Sequence, residues 1–135
     1  MGIGSMALRN ILLSAALAVG LGIVPVTAAT TQNGYIVRQI DSERFEVLPK
    51  GGLSATEAWC AAGDFVISFL RQPRATEIWR ISEPPRGRNQ SIVFSLSSAG
   101  AASSTGLSTS GGGASFSASH GENLCQAARY LLQRD

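Results

Sequence analysis

The sequence predicts an α+β fold: a small antiparallel sheet of three to five strands with two helices linked by a disulfide. Three observations predict it. Short runs rich in β-branched and aromatic residues alternate with polar turns. Two segments open on a Ser-x-x-Glu signature and go on with helix-forming sequence. The only two cysteines of the chain, Cys60 and Cys125, occupy the same place in those two segments.

The chain opens on a leader. Ile11 to Val24 is an uncharged apolar run preceded by Arg9 and broken by Pro25. A bilayer span takes about 20 apolar residues, so this shorter run reads as the core of a secretory signal peptide, with Met1 or Met6 as its start. Small residues place cleavage after Ala28 (Val26 and Ala28 at −3 and −1) or after Ala29. The expected domains are a cleaved signal peptide over 1–28 and a single α+β domain over 29–135. The cysteines lie far from the cleavage region, which argues against a lipid-anchored lipoprotein. No second hydrophobic segment follows, so no transmembrane segment is expected after cleavage. The domain carries Lys50 and nine arginines against nine acids. That balance excludes the large basic excess of a nucleic-acid binder. The arginines between Arg71 and Arg88 (Arg74, Arg80 and Arg86 among them) are interrupted by Glu77 and Glu83, and read as solvated surface, with an anion-binding face as the alternative.

Gly34–Ile40 and Arg44–Pro49 read as two short strands around the polar turn at Asp41–Glu43, and Lys50–Gly52 is a flexible break. Ser54 and Glu57 form a capping box that starts the first helix. Trp59, Ala62, Val66 and Phe69 follow as an apolar stripe, and Pro73 ends the helix. Thr76–Ser82 and Gln90–Ser97 are the clearest strands and are expected to pair antiparallel across the proline-rich loop between them. Residues 98–119 are nearly all Ser, Gly, Ala and Thr, a composition that reads mostly as loop with one short strand near Phe116. A second helix is expected from Gly121 to about Gln133, capped by Ser119 and Glu122.

Both cysteines stand six residues after the cap serine, near the end of the second helical turn. Three residues beyond each is a small residue, Gly63 or Ala128. A disulfide holds its α-carbons about 5.5 Å apart, so two helices can share one only where small residues let their backbones meet. Export permits oxidation. The reading is a Cys60–Cys125 disulfide that staples the helices.

No catalytic, cofactor-binding or metal constellation is expected. Two Cys and one His are too few for a zinc site, no C-x-x-C redox pair occurs, and the glycines near Gly111 lack the setting of a phosphate loop. His120 reads as an exposed helix-start residue. Glu57 is used in its cap, so it does not form an acid/base pair with Asp64. Trp59 and Trp79 fit a core better than a ligand-stacking site.

The segments "FEVLPKGGLSATEAWCAAGDFV" and "GRNQSIVFSL", with a late helical cysteine, resemble a group of small exported alphaproteobacterial proteins of unknown function. The shared features are a "WCAAGDF"-like helix, a "SIVFSL"-like strand and a C-terminal cysteine. The resemblance spans Phe45 to Cys125. It implies export and a shared domain, and implies no activity. The expected role is therefore an exported, periplasmic, non-enzymatic binding or structural protein, with an envelope protein or envelope component as partner. The alternative is a periplasmic enzyme or enzyme inhibitor.

Overall fold

The structure is a computed structural model that describes residues 27–107 and 113–133. The leader lies outside the described residues, as does the middle of the Ser/Gly-rich segment. In chain order the elements are β1 (Ala28–Thr30), β2 (Ile36–Gln39), β3 (Arg44–Val47), α1 (Ala55–Asp64) with a π-helical extension at Phe65–Phe69, β4 (Glu77–Arg80), β5 (Ile92–Ser95), β6 (Ser115–Ser117) and α2 (Ala118–Gln133). The strands form one six-stranded antiparallel sheet in the order β1-β2-β3-β5-β4-β6. The α+β class and the helix–helix disulfide are as expected, and the sheet exceeds the expected range by one strand. The additional strand is β1, whose Ala-Ala-Thr sequence has only Thr30 as a strand-favouring residue and reads as the end of the leader. Both expected cleavage points fall inside it.

Strand alternation sorts the side chains. Val37, Phe45, Val47, Ile92, Phe94 and Ile78 line the inner face and are buried. The register puts Phe45 opposite Phe94 and Val47 opposite Ile92. On the outer face Arg38 stands opposite Glu46, and the two form an ion pair, the opposite-charge cross-strand arrangement that favours a register. Asp41 shapes the β2–β3 turn, where its Oδ1 accepts the Glu43 and Arg44 amide N–H groups at 2.9 and 2.8 Å.

Helix α1 starts at the capping box read from the sequence. The Ser54 hydroxyl accepts the Glu57 N–H at 3.1 Å, and the Glu57 carboxylate accepts the Ser54 N–H at 3.2 Å. Every residue from Ala58 to Asp64 is buried, because α1 meets the sheet on one side and α2 on the other. Trp59 packs edge-on against Phe94 and Phe116, each at 4.8 Å between ring centres, and Phe65 lies 5.0 Å from Phe45. The stripe breaks down at its end, since Phe69 is 45% exposed. The amide of Leu70 bonds to Phe65 O five residues back, and this wider π turn rotates Phe69 off the buried face.

The helices meet through glycine. Gly63 faces Ala118, Gly121 and Glu122 of α2, and a Cβ on Gly63 would stand 2.4 Å from Glu122 N. Gly121 lies equally close to α1, where its Cβ would meet Trp59 O at 2.7 Å. The partner of Gly63 is therefore the Ala118–Gly121 turn, and the side chain of Ala128 lies outside what the structure describes. Cys60 and Cys125 close the contact with a disulfide, their α-carbons 4.8 Å apart. The start of α2 differs from the sequence reading. The helix begins at Ala118, and the Ser117 hydroxyl accepts the His120 amide N–H three residues on, at 3.2 Å, the geometry of a cap. Ser119 lies within the first turn, and Glu122 forms an ion pair with Arg74 at 2.6 Å. Strand β6 runs straight into the helix, so the cap moves to the last strand residue.

Candidate functional site: a buried arginine beside a cavity

Alternation along β4 decides the location of the site. Ile78 and Arg80 point to the inner face, and half-buried Trp79 points outward. Trp79 is thus not a core residue, and Arg80 is not solvated surface: only 2% of it is exposed. Its place opposite Phe94 puts a guanidinium at the edge of an aromatic core. The Nε–H donates to Ser82 O at 2.8 Å and an Nη1–H donates to Thr105 O at 3.1 Å. The Trp59 indole N–H donates to the same Thr105 oxygen at 3.0 Å. Among the described residues the guanidinium has no ion pair and Nη2 donates to no protein group, and since no buried side-chain nitrogen lacks a partner, Nη2 is the part of the group that reaches solvent. Burial lowers the pKa of Arg80, with the Glu83 charge opposing that shift. A guanidinium stays protonated through such a shift. Glu83 is itself occupied by the hydroxyl and amide of Ser103.

Arg80 lines a cavity of about 240 Å³ together with Leu53, Ala55, Pro84, Pro85, Arg86, Ile92 and Gly106. Gly106 abuts the guanidinium, since a Cβ there would stand 2.4 Å from Nη1. The Pro84–Pro85 peptide bond is cis. Arg86 braces the wall, donating from Nε to Leu53 O and from Nη1 to Gly87 O and Gln90 O, each at 3.1 Å. The lining is thus divided about evenly between polar and apolar surface, with two arginines, and among the described residues no carboxylate lines it. A second cavity of about 310 Å³ lies among Thr30, Gly34, Ile36, Leu48, Pro49 and Lys50. Its only charged group, Lys50, is exposed and 3.4 Å from Gly34 O.

The residues singled out in the sequence have structural roles. Glu57 accepts from the Tyr35 hydroxyl at 2.5 Å as well as from the cap, and Tyr35 also lies 2.7 Å from Gly52 O. Burial pushes Glu57 up, but the Tyr35 and Ser54 hydrogen bonds outweigh it and hold the carboxyl below its ordinary pKa. Burial, with the hydrogen bond and charge of Glu57, pushes Tyr35 up to about 12. Asp64 is buried, and its carboxylate accepts from Gln32 N at 2.8 Å and Ser68 Oγ at 3.0 Å. His120 is exposed and stacks on Phe116 at 4.3 Å. The structure brings none of them to the Arg80 cavity. Among the described residues no cluster of His, Cys, Asp and Glu could hold a metal, and no helix is long and apolar enough to cross a membrane. No family model, curated protein or solved structure matches the chain.

Proposed function

We propose that the chain is an exported, periplasmic, non-enzymatic binding protein whose site is the Arg80 cavity. The observation that carries the binding role is a buried guanidinium, without an ion pair among the described residues, that lines a cavity. Burying a charge without an ionic partner is unfavourable, and such groups concentrate at functional sites. Two further observations support export: the apolar leader at Ile11–Val24 and the Cys60–Cys125 disulfide, a cross-link suited to an oxidising compartment. The resemblance at "WCAAGDF" points the same way.

Cell fractionation with N-terminal sequencing tests the export. The expected product is periplasmic, begins at Ala29 or Thr30, and carries no free thiol. A cytosolic product with two free thiols would overturn the proposed location. Cross-linking in intact cells tests the binding role. It should capture an envelope component on the wild type and lose it when Ala55→Leu fills the cavity. Turnover of an envelope substrate by the purified protein would overturn the non-enzymatic role.

A further inference from the structure

We infer that the Arg80 cavity takes a small carboxylate bearing an apolar substituent, with the Arg80 guanidinium as partner of the carboxylate and Leu53, Pro84, Pro85 and Ile92 around the substituent. The charge comes first. Arg80 brings one positive charge into the protein, Ser82 O and Thr105 O contribute only dipoles, and the nearby Glu83 carboxylate, held by Ser103, forms no ion pair with it and does not line the space. One planar fork with an unfilled donor matches a carboxylate. The lining decides between anions. Apart from the two arginines and Gly106, the wall is Leu53, Ala55, Pro84, Pro85 and Ile92. About half of the cavity surface is apolar; a phosphate, hydrated on every side, uses only the polar half, whereas a branched hydrocarbon next to a carboxylate uses both. The volume, about 240 Å³, suits a molecule of a few carbons. Arg86, fixed on three carbonyls at the rim, adds to the positive field that draws the anion in.

Such a ligand would give the proposed binding role its chemistry. The site rests on that reading only for its cellular setting, because titration of purified protein reads the site whether or not the chain is exported. The Trp59 indole N–H shares the Thr105 oxygen with Arg80, so its NMR resonance reports on the guanidinium, while the outward-facing Trp79 serves as an internal reference.

The disulfide-intact protein would be titrated with isovalerate, N-acetyl-leucine, isovaleramide and inorganic phosphate. Isovalerate represents a free small acid and N-acetyl-leucine a peptide C-terminus. Saturable movement of the Trp59 resonance with either supports the site, and the tighter of the two names the source. Isovaleramide keeps the shape without the charge and should bind at least about tenfold more weakly, since hydrogen bonds to a charged group outweigh neutral ones by that order. Equal binding of acid and amide, tighter binding of phosphate, or no binding of either acid would overturn the inference. Arg80→Gln should abolish binding, but Arg80 also holds Thr105, so loss of fold could mimic that result. Ala55→Leu reduces the ambiguity by filling the cavity from the first turn of α1 while removing no donor or acceptor of the Arg80 hydrogen bonds. It should fold, with the disulfide intact and a cooperative thermal transition, and lose binding. A folded Ala55→Leu protein that binds isovalerate as the wild type does would sink the assignment.

Discussion

Gly63→Ala is the sharpest test of how the two helices are joined. On helix propensity alone the change should stabilise α1 by about 1 kcal/mol. The structure opposes this with three contacts. The new methyl would stand 2.4 Å from Glu122 N, 2.6 Å from Ala118 O and 2.8 Å from Gly121 C, where ordinary contact begins at 3.4 Å. All three are backbone atoms, so no side chain can turn aside, and the helices must separate by about 1 Å to restore van der Waals distance. The Cys60–Cys125 bond resists that separation within one turn of Gly63. Overpacking costs about 1–3 kcal/mol, and contact with fixed backbone belongs at the upper end. Set against the propensity gain, the net loss is about 1–2 kcal/mol, and the melting temperature should fall by roughly 5–15 °C for a domain of this size. Differential scanning calorimetry of the oxidised protein measures it. Gly52→Ala is the control, since a Cβ there meets nothing within 4 Å. An unchanged or higher melting temperature for Gly63→Ala would refute the close crossing and leave propensity as the dominant effect.

Three further outcomes are expected. The double variant Cys60→Ser with Cys125→Ser opens a loop of 65 residues' separation and should lose up to about 4 kcal/mol in urea unfolding; a loss below about 1 kcal/mol would show that the staple constrains little. Tyr35 has a folded pKa raised from 10.0 to about 12, so its contribution to stability is complete below pH 10 and is lost as pH rises from 10 towards 12. Tyrosinate absorbance compared with Tyr35→Phe checks this, and ionisation of Tyr35 near pH 10 in the folded protein would contradict it. Gly106 has φ +85° and its Cβ would press on Arg80 Nη1 at 2.4 Å, so Gly106→Ala should destabilise by about 1–3 kcal/mol through backbone strain and displacement of the guanidinium. The Trp59 indole resonance should shift with it, and an unperturbed resonance would separate Gly106 from the Arg80 cluster.

The sequence carried the elements better than their junctions. The Ser54–Glu57 box is local chemistry, complete within four residues, and the cap forms as read. The strand runs and the paired cysteines were likewise visible, because alternation and matched spacing survive without knowledge of neighbours. Ser119 and Glu122 present the same signature and fail as a cap, because β6 pairs with β4 as far as Ser117 and the helix starts at the next residue. Strand β1 was hidden because its pairing comes wholly from β2, through backbone bonds that Ala and Thr supply as well as any residue. Phe69 was misplaced by the π turn, which no residue pattern announces. The site had a signal that composition obscured. Counted among five arginines between Arg71 and Arg88, Arg80 reads as surface; counted along β4 with period two, it shares a face with Ile78.

The Ser/Gly-rich segment and Arg80 explain one another. Around Thr105 it is poor in the apolar side chains that fold a loop, yet Thr105 is buried. Beside the Ser103–Glu83 hydrogen bonds, it is held by one carbonyl oxygen that takes hydrogen bonds from both Trp59 and Arg80, so both of its lone pairs are filled from the core. Ala102 N–H donates to Arg80 O, and Arg80 N–H to Ala114 O, which tie the segment to the β4 backbone on both sides. For that clamp a neutral donor of similar length would serve, at far lower desolvation cost than a guanidinium. The clamp therefore accounts for the position of Arg80 and not for its charge. The charge finds its use at the cavity that the guanidinium lines, with Gly106 leaving room for Nη1 beside the clamp. A segment without a core of its own is thus ordered by the same side chain that faces the cavity, so filling the cavity with an anion should also tighten the segment that walls it.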